Sequence, residues 1–221
     1  MHLNADSLHD LMSPVNQICT MTDLVLHRPG RILDDESKVL LDYVHQSADR
    51  LQNLLSGLRT YMRVVGSRSF YRRCDANSLL AGAVASIEPA IRANDAVVTH
   101  DPLPEIYCDP NQIVYTLAGL VENAIRFRSG LSPRVHVSAA CDGDSWLFSV
   151  CDNGIGIDPV YKERIFAMFK RVDNLASPGP GVGLAIVRQV IEQHGGRVWV
   201  ESQPGFGATF HFTLPRDALQ S

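Results

Sequence analysis

Two apolar stripes open this chain, each with the three-to-four-residue rhythm of a helix, and neither can be buried by its own segment. Between residues 3 and 27, Leu8, Leu11, Val15, Ile18, Thr22, Val25 and Leu26 recur on one face. His27-Arg28-Pro29-Gly30 breaks that rhythm. A second stripe starts at Asp35 and runs through Leu40, Val44, Ala48, Leu51, Leu54, Leu55, Leu58 and Met62. Asp34, Asp35 and Glu36 stand at its start, where negative charge suits the helix dipole. Two helices joined by a short loop make an antiparallel hairpin. A lone hairpin leaves its stripes half-covered, whereas two copies close a four-helix bundle, so a homodimer is expected.

After Gly66-Ser67-Arg68-Ser69 the pattern changes to mixed strand and helix, which divides the chain into a helical domain 1–65, a linker 66–69 and a second domain 70–221. There the spacing predicts a strand over 70–73, a helix from Asp75 or Asn77 to about 93 and a short strand over 97–99. An amphipathic helix over 109–128 and alternating strands over 134–140 and 146–151 follow. Residues 159–180 are weakly patterned and read as a loop with a short helix inside it. A helix over 182–193 stops at Gly195-Gly196, and strands over 197–202 and 208–214 close as a hairpin. The expected architecture is an all-α hairpin followed by an α+β sandwich, with helices on one face of a mixed sheet.

Composition narrows the function. A formal charge of −4 over 221 residues supplies no basic field for a polyanion, so nucleic acid is not the expected partner. The five cysteines show no C-x-x-C pair and no His at ligand spacing, which points to neither zinc nor a disulfide framework and fits a reducing cytoplasm. No apolar run approaches the roughly 20 residues that cross a bilayer, so no membrane contact is expected of this chain.

Four short elements carry chemistry. With Leu8, Leu11 and Val15 facing the core, His9 falls with Ser13, Asn16 and Thr20 on a polar outward stripe. A neutral imidazole is a nucleophile near neutral pH, and Asp10 beside it can hold the proton of the other ring nitrogen. Pro14 removes one backbone hydrogen bond within a turn of His9 and is expected to bend the helix. On a later helix, the Asn123 carboxamide is a hard ligand suited to Mg²⁺, and Arg126 can meet phosphate oxygens. Alone, either is an ordinary solvated helix residue. Asp152-Asn153-Gly154-Ile155-Gly156 follows a strand directly. There a carboxylate can accept from an exocyclic amino group while glycines let backbone approach a flat ligand, although Asn-Gly by itself is a common turn. Gly179-Pro180-Gly181-Val182-Gly183-Leu184 opens a helix, where free amides and the dipole favour an anion. It lacks both the Walker A lysine and the dinucleotide G-x-G-x-x-G spacing.

In this order and at these separations the four elements resemble the H, N, G1 and G2 boxes of sensor histidine kinases, and residues 165–171 are similar to the F box of that family. The tail from Gly183-Leu184-Ala185 through His194-Gly195-Gly196 to Gly205-Phe206-Gly207 resembles its closing segment. The resemblance implies a dimerisation and phosphotransfer hairpin followed by an ATP-binding sandwich of the type shared with gyrase and MutL. It implies His9 as phosphoacceptor, Asp10 as its acidic neighbour and Ser13 where Thr or Asn serves dephosphorylation. Asn123 is implied as Mg²⁺ ligand and Asp152 as adenine contact, with Gly154, Gly156, Gly181, Val182, Gly183 and Leu184 shaping the pocket. Arg126 and Arg171 become phosphate contacts, Phe127 packs near the nucleotide, and residues 159–180 form the ATP lid. One turn before Asn123, where the family often has a second Asn, stands Gly119, leaving Glu122 or water to complete the metal's shell.

The expected function is an ATP- and Mg²⁺-dependent autokinase that phosphorylates His9 and passes the group to an aspartate on the receiver domain of a response regulator. Its signal would arrive from a sensor region or sensor protein outside these residues. Three alternatives stand beside it. A serine/threonine kinase of the same superfamily leaves residues 9–14 without purpose. A histidine phosphotransfer relay with a relic ATP domain draws on Gly119, and a dimeric scaffold uses no chemistry at all.

Overall fold

The computed structural model describes residues 5–27, 34–66, 68–169 and 181–216, with side chains from Met12 onward. Helix α1 spans Ala5–Leu26 and passes through Pro14 without interruption. Helix α2 spans Asp35–Val65, and the Asp34 carboxylate caps it by accepting from Ser37 N. Contacts from Asn16 to Gln52, Cys19 to Asp49 and Asp23 to His45 run in opposite directions along the two helices, so they lie antiparallel. Val15 and Leu55 are buried between them, with Met12, Leu58 and Met62 alongside. Ile18, Leu40, Val44 and Leu51, all on the stripes read from sequence, remain exposed, as do Met21, Leu24, Val39 and Tyr43.

Strands β1 (Arg72–Asp75) and β3 (Glu105–Cys108) pair antiparallel as a small separate ladder. The main sheet has the order β2-β4-β5-β7-β6, from Val97–His100, Arg134–Asp142, Ser145–Asp152, Ala208–Pro215 and Val198–Ser202. Only β2 against β4 is parallel; the other pairs are antiparallel. Alternation along the strands puts Val135, Val137, Phe148, Val150, Val200, Phe210, Phe212 and Leu214 on one face. Against it pack α3 (Ala76–Ser86), α5 (Pro110–Arg126) and α6 (Gly183–Gln193) through Leu80, Leu117, Leu120, Ile186 and Ile191. Phe148 and Phe212 sit opposite each other in register and stack with centroids 4.9 Å apart. Burying one such ring contributes roughly 2 to 3 kcal/mol.

Three local readings change. The helix expected from Asp75 to about 93 is two helices, because Pro89 has no N–H to continue the ladder. Helix α3 ends at Ser86, and α4 (Glu88–Ala93) restarts with that proline in its first turn. Strand β1 lies two residues later than expected, since Phe70 N donates to the Asp109 side chain instead of entering a ladder. Strand β3 was not foreseen: four residues behind Pro102 and Pro104 carry too little alternation to stand out.

His194, at the end of α6, ties this core together. Its Nδ1 lies 2.7 Å from Val190 O, and its Nε2 lies 3.1 Å from Asp109 N. A carbonyl only accepts and an amide N–H only donates, so the ring carries its proton on Nδ1 and stays neutral. Burial pushes its pKa below the ordinary imidazole value, against the opposing pull of the Val190 carbonyl and the Asp109 carboxylate. The unfolded chain therefore binds a proton first, and stability is full above about pH 6.5 and declines as pH falls below it. Urea unfolding across pH 5 to 8 is expected to show this decline, with His194→Gln flattening it.

Candidate active site

Strand β5 ends at Asp152, which stands half-buried at the mouth of the sheet. Its Oδ1 accepts from Gly154 N at 2.8 Å and Ala208 N at 3.1 Å, leaving Oδ2 without a protein partner among the described residues. Burial pushes the carboxyl above the usual carboxylate range, while the two amide bonds pull it back. A carboxylate tied down by one oxygen presents the other in a fixed direction, as recognition of an amino group requires.

The loop after Asp152 is held so tightly that two of its residues must be glycine. A Cβ on Gly154 would lie 2.5 Å from Phe127 O, and one on Gly156, at φ +73°, would lie 2.0 Å from Gln203 O. Ile155 N donates to Phe127 O, stitching the loop to the end of α5, and Gly205 N donates to Ile155 O from the β6–β7 turn. The Asn123 and Phe127 end of α5 is thereby placed beside the Asp152 loop. Asn153, read from sequence as half of a turn, clamps the preceding loop: its Oδ1 accepts from Arg134 N and its Nδ2 donates to Ser132 O.

Helices α2, α3 and α5 are each preceded by an aspartate whose side chain caps the first turn, but Val182 before α6 provides no side-chain cap. Among the described residues no side chain occupies the leading amides of α6, which suits them to an anion. Among the described residues nothing lies within 4 Å of where a Cβ on Gly183 would stand, so none of them demands a glycine there. Phe169 N donates to Gly181 O, and Phe166 packs edge-on against Phe210, anchoring the approach to this helix start.

Other expected site residues fare differently. Arg126 pairs with Glu122 at 3.3 Å on the surface, an interaction worth little, so the arginine remains available to a stronger anion. Glu122 is correspondingly engaged by Arg126. Arg171 and residues 170–180 lie outside the described residues; the remainder of the expected lid contains 3₁₀ turns at Pro159–Tyr161 and Arg164–Phe166. His9 and Asp10 lie on α1, and their side chains are outside the described set; Ser13 is exposed. It borders a groove of about 490 Å³ with Met12, Asn16, Gln17, Thr20, Met21 and Arg59.

For Mg²⁺ the protein offers few donors. Among the described residues no group of three His, Cys, Asp or Glu side chains could hold a metal ion, and a Cβ on Gly119 would meet only Val187 Cγ2 at 3.8 Å. One carboxamide at Asn123 fits an ion held mainly by nucleotide phosphates and water, which is how Mg²⁺ usually binds with a nucleotide. Sequence reasoning missed Ser202, whose hydroxyl accepts from Ile157 N and donates to Gly207 O, locking the loop to the hairpin. It also missed the Ala208 amide on Asp152; the register of β5 on β7 reveals the second, and that of β6 on β7 the first.

The family model of the histidine kinase-, DNA gyrase B- and HSP90-like ATPases matches residues 108–218, half of the chain. The chain belongs to that ATPase family. Cyanobacterial phytochrome A of Nostoc sp. is 38% identical over 208 residues, covering 94% of this chain and 27% of the phytochrome. Full-length ShkA in complex with AMPPNP superposes with a TM-score of 0.67 at 28% identity, covering 98% of this chain and 46% of ShkA. The catalytic domain of histidine kinase ThkA gives a TM-score of 0.57 at 26% identity over 66% of this chain and 96% of that domain. The chain thus spans about a quarter of the phytochrome's length, and its ATPase domain is of the sensor histidine kinase type. Among the described residues no helix is long and apolar enough to cross a membrane.

Proposed function

We propose that the chain is an ATP-dependent histidine autokinase of two-component signalling. Asp152 Oδ2 accepts from the adenine amino group, Gly154 and Gly156 bring backbone against the base, and Phe127 flanks it. Gly181, Val182, Gly183 and Leu184 direct uncapped amides at the phosphates, with Arg126 and Arg171 as further contacts. Mg²⁺ at Asn123, when bound, neutralises phosphate charge. A lone pair on one ring nitrogen of His9 attacks the γ-phosphorus, the bond to the ADP oxygen breaks and ADP departs. Asp10 takes the proton from the other ring nitrogen. The labile P–N bond then passes its phosphoryl group to an aspartate carboxylate of a response regulator, received along the Ser13 to Thr20 face beside Arg59. The exposed apolar residues of the hairpin, among them Ile18, Leu24, Leu40 and Tyr43, favour a second copy closing a four-helix bundle. Such a dimer would work in the cytoplasm and take its signal from a sensor outside these residues.

One observation carries this reading: a carboxylate with one oxygen secured and the other open, in the same domain as a helix start whose amides have no cap. The sparse metal donors around Gly119 favour one rival, a phosphotransfer relay with a relic ATP domain. Incubation with labelled ATP and Mg²⁺ separates the two. The wild-type chain is expected to gain an acid-labile phosphate that His9→Gln loses completely while still binding nucleotide. Acid-stable phosphoserine, or no nucleotide binding in either protein, would defeat the kinase reading.

A further inference from the structure

The connection between α2 and the ATPase domain is gripped along its length. Val64, in the last turn of α2, is buried in the core of the ATPase domain, with Tyr61 and Val65 packed beside it. The last carbonyls of a helix have no partner within it. Here side chains from beyond the connection take two of them: Gln112 Nε2 donates to Val64 O at 2.9 Å, and Gln193 Nε2 to Val65 O at 3.3 Å. Gln112 Nε2 also reaches Ser69 Oγ at 3.3 Å, Phe70 N donates to Asp109 Oδ2 at 2.8 Å, and Tyr71 Oη donates to Gln193 O. Gln112 and Asp109 are 3% and 5% exposed, and the Gln112–Val64 bond forms away from water, where an unmade one costs about 1 to 3 kcal/mol.

Gln112 is an unfavourable choice if its task were only to fill space. Among the described residues its Oε1 is buried without a partner, a cost that a methionine of similar shape would avoid. Its position explains what it does instead. Gln112 stands on the first turn of α5, and Gln193 at the last residue of α6. The opposite ends of the same helices carry Asn123 and Gly183. Helix α5 has 17 residues and is about 25 Å long, so it is a rod from the grip on α2 to the nucleotide loop. The antiparallel pairing of α1 and α2 puts the start of α1, with His9, at this end of the hairpin.

We infer that Gln112 is a positioning residue: by holding the Val64 carbonyl in the last turn of α2 it sets the angle at which the ATPase domain presents nucleotide to His9, and so governs phosphoryl transfer without governing nucleotide affinity. This rests on the kinase reading above. Orienting two reactants that sit on separate bodies is a large part of such a reaction, and a loosened joint spends less time in the productive geometry.

The full chain and its Gln112→Met variant decide the matter. The variant is expected to bind Mg·ADP within about twofold of wild type, to melt within a few degrees of it, and to phosphorylate His9 at least about fivefold more slowly at saturating ATP. Amide exchange at Phe70 provides a readout independent of catalysis: it is expected to slow on adding Mg·ADP in wild type and to lose that response in Gln112→Met. An unchanged or faster transfer rate overturns the inference, as does a rate that falls together with affinity and melting temperature. If wild type itself gains no phosphohistidine, the kinase reading fails separately. The exchange response at Phe70 then decides alone, its presence in wild type and loss in the variant supporting the coupling, any other pattern refuting it.

Discussion

Asp152→Asn is expected to weaken binding of adenine nucleotide at least about 100-fold while leaving the fold intact. The asparagine oxygen can keep the bonds that Oδ1 accepts from Gly154 N and Ala208 N. Its nitrogen then occupies the place of Oδ2 and points a donor at the donor group of adenine. A lost hydrogen bond together with an unpaired polar contact in a half-buried site amounts to about 3 kcal/mol, or two orders of magnitude in affinity. Burial already disfavours the charged form of Asp152, so the neutral amide is expected to hold or raise the unfolding temperature. Calorimetric titration with Mg·ATP beside a melting curve tests both halves. Wild-type affinity in the variant would mean that adenine is bound elsewhere.

Alanine at two glycines of the same site is expected to fail in opposite ways. Gly156→Ala puts a Cβ 2.0 Å from Gln203 O at a φ of +73°, and the obstacle is backbone that cannot swing aside. A loss of about 3 kcal/mol or more is expected, a large share of the 5 to 15 kcal/mol that holds a typical domain together. Gly183→Ala meets nothing within 4 Å among the described residues and improves helix propensity, so it is expected to melt at or slightly above the wild-type temperature. Its new methyl group stands where phosphate approaches the uncapped amides, and nucleotide affinity is expected to drop about tenfold. Urea unfolding and titration on both variants separate the two roles. A destabilised Gly183→Ala, or one that binds nucleotide normally, would remove that residue from the phosphate site.

Long elements with a steady period were legible because their pattern is local. Helices α1, α2, α5 and α6 follow from apolar residues every three or four positions, and β4, β5 and β7 from alternation. Aspartates at 34, 75 and 109 marked helix starts; a cap was expected of Asp75 or Asn77, and the structure shows side-chain caps at all three aspartates. Short elements were not legible: β3 is four residues whose partner β1 lies some thirty positions earlier, and no local pattern reports that pairing. The break at Ile87 was written in Pro89 yet masked by good helix formers on either side.

At the site, residue types in order were enough to nominate Asp152, Gly154, Gly156, Asn123 and the loop before α6, because nucleotide chemistry demands those groups. The sequence by itself therefore determined which long segments are helix or strand and which side chains to nominate for a nucleotide. Only tertiary structure decided what each of them is for. Gly156 is demanded by the backbone around it and Gly183 by none of the described residues, Asn153 clamps a loop, Ser202 locks another, and Gln112 reaches across to hold Val64 O. The physical reason is distance along the chain: a glycine's obstacle or an amide's acceptor lies tens of residues away, and packing alone brings it within ångströms.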